Sequence, residues 1–348
     1  MIKTVLVVLG LISSANLFSK NVVDLYGTNA KKSEEIIKKY SNEVGYIENL
    51  LQENFRKISD NLEKEIPEKI LMKKYLLEEK IKREGNFLFV NFSTILYPGD
   101  NNQYTTIEVI DKNQPDRLQF VNQRVVTASQ PKDDLINKMV NFINLDLQLM
   151  PNNQKRSDSC PVYHCLSGFN HPKLKPYLKV FNTGAVKEKQ LIADTLNKDP
   201  DPERRAAAAF LIGHFHDPKE ILSLLLPHVN DQDIGVRNNV IRVIAATMSK
   251  SKITQIDLMP FLSLIDSPAT TDRNKALHVL LNAADSESSK KVITQKGGGT
   301  LIALLQLKQP NNHQIAYLIF KKISGKDFGE NNIAAWKSWL ASVQSRKG

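Results

Sequence analysis

The sequence lacks the common catalytic motifs. In 348 residues there is no HExxH, no GxSxG, no ordered Ser–His–Asp set and no paired-carboxylate motif, so the usual metalloprotease and serine-hydrolase classes find no support. The glycine run KGGGT at 296–300 does not end in the GK[ST] of a P-loop. These absences leave an enzyme possible in principle, favour a non-enzymatic binding protein and indicate no cofactor.

Long apolar runs are also missing. The run at 5–12 is much shorter than the about 20 residues of a spanning helix. With Lys3 before it and the small residues Ser13 and Ala15 after it, it is typical of a secretory signal peptide. We therefore predict a signal peptide over 1–19, an exported protein, periplasmic or secreted, and no transmembrane segment after cleavage.

Cysteine is scarce, with Cys160 and Cys165 the two in the chain. Two cysteines five positions apart in an oxidising compartment predict a disulfide. The spacing is not the CxxC of thiol–disulfide exchange. The alternative is a zinc site formed by both cysteines with His164 and His171, and a metal-binding or hydrolytic enzyme would have its site in this stretch.

Charge is unevenly distributed along the chain. Residues 20–150 carry 19 Lys and Arg against 20 Asp and Glu, a net charge of −1, whereas residues 151–348 carry 27 against 17, a net charge of +10. This asymmetry suggests an anionic surface, such as an envelope polymer, as a second partner of the C-terminal half. Few aromatic residues lie among its lysines, and together with export this argues against nucleic acid as a partner.

Strand and helix patterns alternate in residues 20–150, which predicts an α/β module. NVVDLYG at 21–27 is typical of a short strand, and apolar periodicity between 36 and 81 predicts helices. Two runs rich in β-branched and aromatic residues flank the turn residues PGDNN and predict a β-hairpin over 86–111. RLQFV at 117–121 adds a possible third strand.

The order of strand, helices and hairpin resembles a POTRA domain, the periplasmic module of outer-membrane assembly proteins. The resemblance rests on YGTNAKKSEEII at 26–37, REGNFLFVNF at 83–92 and TTIEVID at 105–111. The helical stretch 45–85 is longer than that module needs. The resemblance implies a small periplasmic α/β module.

The C-terminal half repeats one frame, in which two aspartates precede an arginine at the start of a helix. Two copies 32 residues apart are Asp199, Asp201 and Arg205, then Asp231, Asp233 and Arg237. A third copy, at a slightly longer step, contains Asp266 and Arg273. Another apolar helix precedes each copy, so paired helices recur every 30 to 40 residues, which is typical of a helical solenoid.

These residues resemble HEAT-like repeats, including the alanine-rich bacterial kind. The shared features are the aspartate before the second helix, the arginine on its first turn and an apolar stripe such as AAAAF at 206–210. The resemblance covers 173–343 and implies stacked helical hairpins, because one hairpin cannot bury its own apolar face. Trp336 and Trp339 on the last helix predict a terminal capping helix.

The sequence as a whole predicts a predominantly α protein: an α+β N-terminal module, then an all-α HEAT-like solenoid. We expect the module at 20–150, a cysteine-containing junction at 151–172 and the repeats at 173–343. A protein partner would bind the concave solenoid face or the hairpin edge. The candidate binding residues are Arg205, Arg237, Asn238, Asn239, Arg242 and Arg273. Alternatively, each recurrent arginine binds the aspartate or the carbonyls of the preceding turn, in a ladder that ties the repeats together.

Overall fold

The computed structural model describes residues 20–59, 65–97, 102–121, 133–149, 160–166 and 168–345. The predicted signal peptide lies outside these residues. The chain divides into two compact units. The sheet unit comprises 1–121, 268–270 and 303–314, and the repeat unit comprises 122–267, 271–302 and 315–348. We predicted a first module that extends to residue 150.

A three-stranded mixed sheet and two helices form the N-terminal part of the sheet unit. The elements are β1 (Lys20–Tyr26), α1 (Ala30–Ser59), α2 (Glu68–Glu84), β2 (Phe87–Tyr97) and β3 (Asn102–Asp111). The strand order is β1-β3-β2, with β2 antiparallel and β1 parallel to the central β3. Parallel pairing needs a crossover connection, which α1 and α2 provide. The predicted α+β character is confirmed.

The core of the sheet unit follows from the helix period. Val44, Ile47 and Leu51 recur on one side of α1 and are buried, as expected of an amphipathic helix that packs on a sheet. Ile107 and Val109 of β3 belong to the same apolar cluster. The central strand is therefore covered, whereas β2 and β1 remain edge strands of the sheet.

The predicted strand at 117–121 is wrong, because residues Pro115–Phe120 form a 3₁₀ turn. Pro115 fixes φ at its start and supplies no N–H for a sheet. The buried Arg117 donates to the carbonyl oxygens of Gly27 and Val109, at 3.3 and 3.1 Å. Its guanidinium thus holds the loop that follows β1 against the end of β3.

Two buried acids of the sheet bind later segments of the same unit. Asp24 accepts hydrogen bonds from the backbone N–H groups of Lys308 and Gln309, at 2.5 and 3.2 Å. Glu108 accepts one from the hydroxyl of Thr270. Burial raises the pKa of Asp24, and the two N–H groups oppose that rise. These bonds satisfy polar groups that would otherwise be costly to bury.

The other α-helices lie wholly or mostly in the repeat unit. They are α3 (Leu135–Leu149), α4 (Lys175–Lys187), α5 (Lys189–Lys198), α6 (Pro202–Ile212), α7 (Pro218–Leu225), α8 (Ile234–Ser251), α9 (Met259–Leu264), α10 (Thr270–Ala283), α11 (Glu287–Val292), α12 (Gly298–Leu305), α13 (Pro310–Ser324) and α14 (Ile333–Ser345). In the described part of the chain, no helix is both long and apolar enough for a membrane span.

Aspartates begin three of these helices. Asp201 accepts a hydrogen bond from the N–H of Glu203 before α6, and Asp217 accepts one from Lys219 before α7, each at 2.9 Å. Asp233 caps α8 in the same way. A side-chain cap satisfies a helix N–H group that has no partner within the helix, so the recurrent aspartates fix where each helix starts.

Aromatic packing holds the last helix. The buried Trp336 of α14 stacks on Phe320 of α13 with ring centroids 5.3 Å apart, and Phe328 meets it edge-on at 4.8 Å. Its indole N–H donates to the carbonyl of Gly329 at 2.9 Å.

The KGGGT stretch is helical, and a Cβ at Gly298 would lie 2.6 Å from a methyl of Leu340. The glycine is therefore needed for close helix packing.

Candidate functional site

A disulfide joins Cys160 and Cys165, whose Cα atoms are 5.6 Å apart. This confirms the predicted bond. It occupies both sulfurs, so the two remaining members of the alternative zinc site, His164 and His171, lack their thiolate partners. Lys250 at the end of α8 donates to the carbonyl of Cys160 at 2.9 Å, which anchors the loop on that helix.

The two histidines of this stretch have local contacts. His164 is buried and stacks on Phe210 of α6, with ring centroids 4.7 Å apart. The Nδ1 of His171 accepts a hydrogen bond from the N–H of Lys173 at 3.2 Å. Within the described ranges, no group of three or more His, Cys, Asp and Glu side chains is placed to hold a metal ion.

His214, directly after α6, is a packing residue. Its Nδ1 lies 2.8 Å from the Oδ1 of Asn182, and its ring meets Phe169 and Phe181 edge-on. Burial lowers the pKa of His214 to about 4, so the ring is neutral at pH 7. The neighbouring His216 is exposed.

Arginines of successive repeats form a ladder. Arg205 binds Asp231 of the next repeat through two bonds, Nη2 to Oδ1 at 2.9 Å and Nε to Oδ2 at 3.0 Å. Arg237 in turn donates to one oxygen of Asp272, at 2.8 and 3.1 Å. Each arginine also donates to backbone carbonyls before its own helix. The arginines thus join each repeat to its neighbour. The bonds to the preceding carbonyls agree with the ladder interpretation, whereas the aspartate partners lie in the next repeat and not in the preceding turn.

Several residues of the predicted binding surface are used inside the stack. Arg237 and Arg273 are 1% and 0% exposed, so their donors cannot reach a partner. Arg273 donates to the carbonyl of Ser267 at 2.7 Å. Asn239 donates to the carbonyl of Ala206 at 3.1 Å, across to the preceding repeat. For these residues the structure assigns a role in the stack.

Arg204 is an important residue that the repeat pattern did not indicate. It binds Asp134 just before α3, with Nη2 to Oδ2 at 2.7 Å, and Asp199, with Nε to Oδ2 at 2.8 Å. Its guanidinium is buried. The ion pair attaches α3 to α6 within the repeat unit. No sequence period links residues 70 positions apart, so no local signal could have identified it.

Arg242 of α8 differs from the ladder arginines. It forms no ion pair or hydrogen bond with the described residues, and its Nε is buried without a partner. Burial lowers the pKa of its guanidinium. Lys275 of α10 has a hydrogen bond to Asn274 at 2.9 Å and no carboxylate partner among these residues. Burial, with the charge of Arg242 added, lowers the pKa of Lys275 to about 7.

Neighbouring histidines experience the same positive potential. Burial, followed by the charges of Arg242, His214, Lys250 and Lys275, lowers the pKa of His164 well below its usual range. Burial and then Lys275 lower the pKa of His278 on α10. The largest charge contributions to both shifts come from cations, in contrast to the ladder.

The sheet unit has exposed features of its own. Four large apolar residues, each at least 40% exposed, recur on one side of α2: Leu71, Met72, Tyr75 and Leu76. Among the described residues β2 pairs with β3 along one edge only, and at its other edge the N–H and carbonyl of Phe92 bond Glu78 and Lys74 of α2, at 3.0 and 2.9 Å. Edge strands and apolar patches of this kind are typical protein contact sites.

Comparison with known proteins supports the repeat assignment. Residues 190–294 match the family model for HEAT repeats. No curated protein and no solved structure shows significant similarity to the chain. The comparisons give no support to the resemblance of the first module to a POTRA domain.

Proposed function

We propose that this chain is an exported, non-enzymatic scaffold that binds a protein partner through its HEAT repeat surface. The observation that carries the proposal is the HEAT match over 190–294, a segment whose successive helices are joined by the arginine ladder. Stacked repeats present one continuous surface, which suits the binding of another protein.

The side chains that suggested chemistry have structural roles. The cysteines are bonded to each other, and His164 and His214 are buried against aromatic rings. The alternative of a metal-binding or hydrolytic enzyme at this junction therefore has weaker support than a binding function.

Export is part of the proposal. It is supported by the apolar run at 5–12 and by the disulfide, because such bonds persist in oxidising compartments. Mass spectrometry of the chain purified from the cells that produce it tests this part. A chain that begins after residue 15 or 19 and contains no free thiol agrees with export, and an unprocessed chain with two thiols contradicts it.

A second candidate function is partner binding by the sheet unit, at its hairpin or at the exposed apolar residues of α2. The exposed apolar residues of α2 offer a contact surface for another protein, and a strand could be added to the edge of β2 where Glu78 and Lys74 of α2 do not already bond the backbone of Phe92. In this interpretation the sheet unit binds the partner, and the repeats have a structural role without contacting the partner.

Site-specific photo-crosslinking distinguishes the two surfaces. A benzophenone amino acid is placed at Ala246, on the partly exposed stripe of α8, at Ser223, exposed on α7, and at Tyr75 of α2, each in the full chain in its own cells. If crosslinking at Ala246 reproducibly yields an adduct with one protein and crosslinking at Ser223 does not, the result supports binding by the repeat surface. An adduct from Tyr75 alone assigns binding to the sheet unit, and no protein adduct at any position contradicts the scaffold function.

A further inference from the structure

We propose that Arg242 and Lys275 form a binding site for an oxyanion, a carboxylate or a phosphate group, that the partner protein carries. The proposal rests on the proposed function in one respect, that the oxyanion belongs to a protein. It is carried by the position of these two cations between α8 and α10 and by the lack of a carboxylate partner for either among the residues that the structure describes.

The two helices are joined on both sides of the cations. At one end Arg237 binds Asp272 at 2.8 Å, and at the other the amide of Asn282 donates to the carbonyl of Ala245 at 2.9 Å. Arg242 lies between the two bonded positions on α8. Lys275 and His278 lie between them on α10. The three side chains therefore share one stretch of the interface between neighbouring repeats.

These side chains are also accessible. Asn239, Arg242 and Ala246 are partly exposed on successive turns of α8, and Lys275 and His278 are partly exposed on α10. Positions three and four residues apart lie on one side of a helix. The cations therefore line the side of the second helices that is open to a ligand, although part of each side chain is buried.

Orphaned polar atoms mark the same place. The Nε of Arg242 and the Oδ1 of Asn238, one helical turn apart on α8, are both buried without a hydrogen-bond partner. Buried polar groups are nearly always satisfied, and each exception calls for a ligand or water. The guanidinium has further donors in a planar fork that matches the geometry of carboxylate and phosphate oxygens.

The positive charges at this place favour a negatively charged ligand. Every other described arginine of these repeats binds an aspartate or a backbone carbonyl, but Arg242 does neither. Lys250 adds a third cation, and the histidines at 164 and 278 are kept neutral by burial and by these charges. A buried cation without a countercharge destabilises the fold, and an oxyanion would supply the countercharge.

Lysine reactivity gives a direct test. The full chain is treated with trace acetic anhydride at pH 7.5, and acetylation of Lys275 is measured by mass spectrometry against the exposed Lys31. The probes are hexaglutamate and phosphoserine, with sodium chloride at equal ionic strength as control. A bound oxyanion raises the pKa of Lys275, so we expect its acetylation to fall about five-fold, saturably, while Lys31 does not change.

Variants show whether Arg242 is part of the site. In Arg242→Gln the probes should no longer protect Lys275, whereas Arg83→Gln, at an exposed position of α2, should behave as the wild type. Arg242→Lys retains a cation without the fork and should bind more weakly. If Arg242→Gln does not fold, the protection of Lys275 in the wild type and its weakening in Arg242→Lys still test whether Arg242 belongs to the site.

Each outcome has a defined meaning. Protection by hexaglutamate alone assigns a carboxylate, protection by phosphoserine alone assigns a phosphate, and both outcomes support the site. No protection by either probe, or equal protection by sodium chloride, overturns the site. A protein adduct at Ala246 in a chain that responds to neither probe overturns this inference alone. Oxyanion binding without any protein adduct overturns the scaffold function, and with it the assignment of the oxyanion to a protein, but leaves the oxyanion site itself.

Discussion

Arg237 and Asp272 form a buried ion pair between two repeats, with Nη2 and Nε of the arginine 2.8 and 3.1 Å from the same carboxylate oxygen. Neither side chain is more than 1% exposed. The hydroxyl of Ser267 donates to that oxygen at 2.9 Å as well. Arg205 binds the frame aspartate Asp231, which precedes α8, whereas Arg237 binds Asp272, which lies within α10. The acceptor in this repeat is therefore on the helix itself.

Arg237→Met should lower the free energy of unfolding by about 3–5 kcal/mol, because it leaves the buried Asp272 without its partner. The double variant Arg237→Met/Asp272→Leu should lose less than the sum of the single variants. Urea denaturation measures each value. As a control, Lys198→Met, which breaks an exposed pair with Asp194, should cost less than about 1 kcal/mol. Additive losses in the double variant would contradict the ladder.

Removal of the disulfide should cost stability without loss of fold. The bond closes a loop with a sequence separation of 5, for which the chain-entropy model gives about 2 kcal/mol. The test is urea denaturation of Cys160→Ser/Cys165→Ser beside the wild type with and without reductant. Reductant should destabilise the wild type and leave the double variant unchanged. A double variant as stable as the oxidised wild type would show that the bond does not stabilise the fold.

Acid should destabilise the repeat unit through its buried histidines. The pKa of His214 is about 4 in the fold and about 6.5 in an unfolded chain. The folded state therefore binds fewer protons in this range, and stability falls as pH decreases from 6.5 towards 4, by roughly 3 kcal/mol for this group.

The histidine variants test this assignment. His214→Gln cannot titrate and should show a shallower fall in stability between pH 6.5 and 4. His216→Gln, changed at the exposed neighbour, should keep the wild-type dependence. Part of the slope should persist in His214→Gln because burial also lowers the pKa of His164. Equal slopes in both variants would rule out a contribution from His214.

Arg242→Met should raise the free energy of unfolding by about 1 kcal/mol, because it replaces a partly buried, uncompensated charge with an apolar side chain. Arg205→Met is the matched control and should lower stability, since Arg205 has a carboxylate partner in Asp231. Thermal and urea denaturation at low ionic strength compare the two. A loss of stability in Arg242→Met would mean that its charge is already compensated.

Features with a local or periodic signal were predictable from the sequence. The helix caps at Asp201 and Asp217, the pairing of β2 with β3 and the disulfide each depend on residues close together in the sequence. The frame shared by Arg205 and Arg237 indicated that these arginines tie the repeats together, but it did not indicate that their carboxylate partners, Asp231 and Asp272, lie in the next repeat. Asp272, the partner of Arg237, does not occupy the position that the frame gives to an aspartate. The sequence therefore predicted an acceptor near the start of this repeat but did not identify the residue.

Features that depend on distant packing were not predictable. Strand β1 pairs with β3 about 80 residues later, with no turn to fix the pairing, and RLQFV was assigned to a strand that it does not form. Arg204 pairs with Asp134, from which it is separated by 70 positions in the sequence. Arg242 was a candidate from its place on a helix, but the missing countercharge depends on how α8 and α10 pack.

Both tryptophans of the chain, Trp336 and Trp339, belong to α14. Intrinsic fluorescence therefore reports on the terminal helix and its contact with Phe320, whereas the far-ultraviolet signal averages over every helix. Repeat stacks are held by contacts between neighbours and can fray from an end. Unfolding can therefore be followed by tryptophan fluorescence and by far-ultraviolet circular dichroism without an added label. The difference between the two unfolding midpoints measures how strongly the last helix is coupled to the rest of the stack.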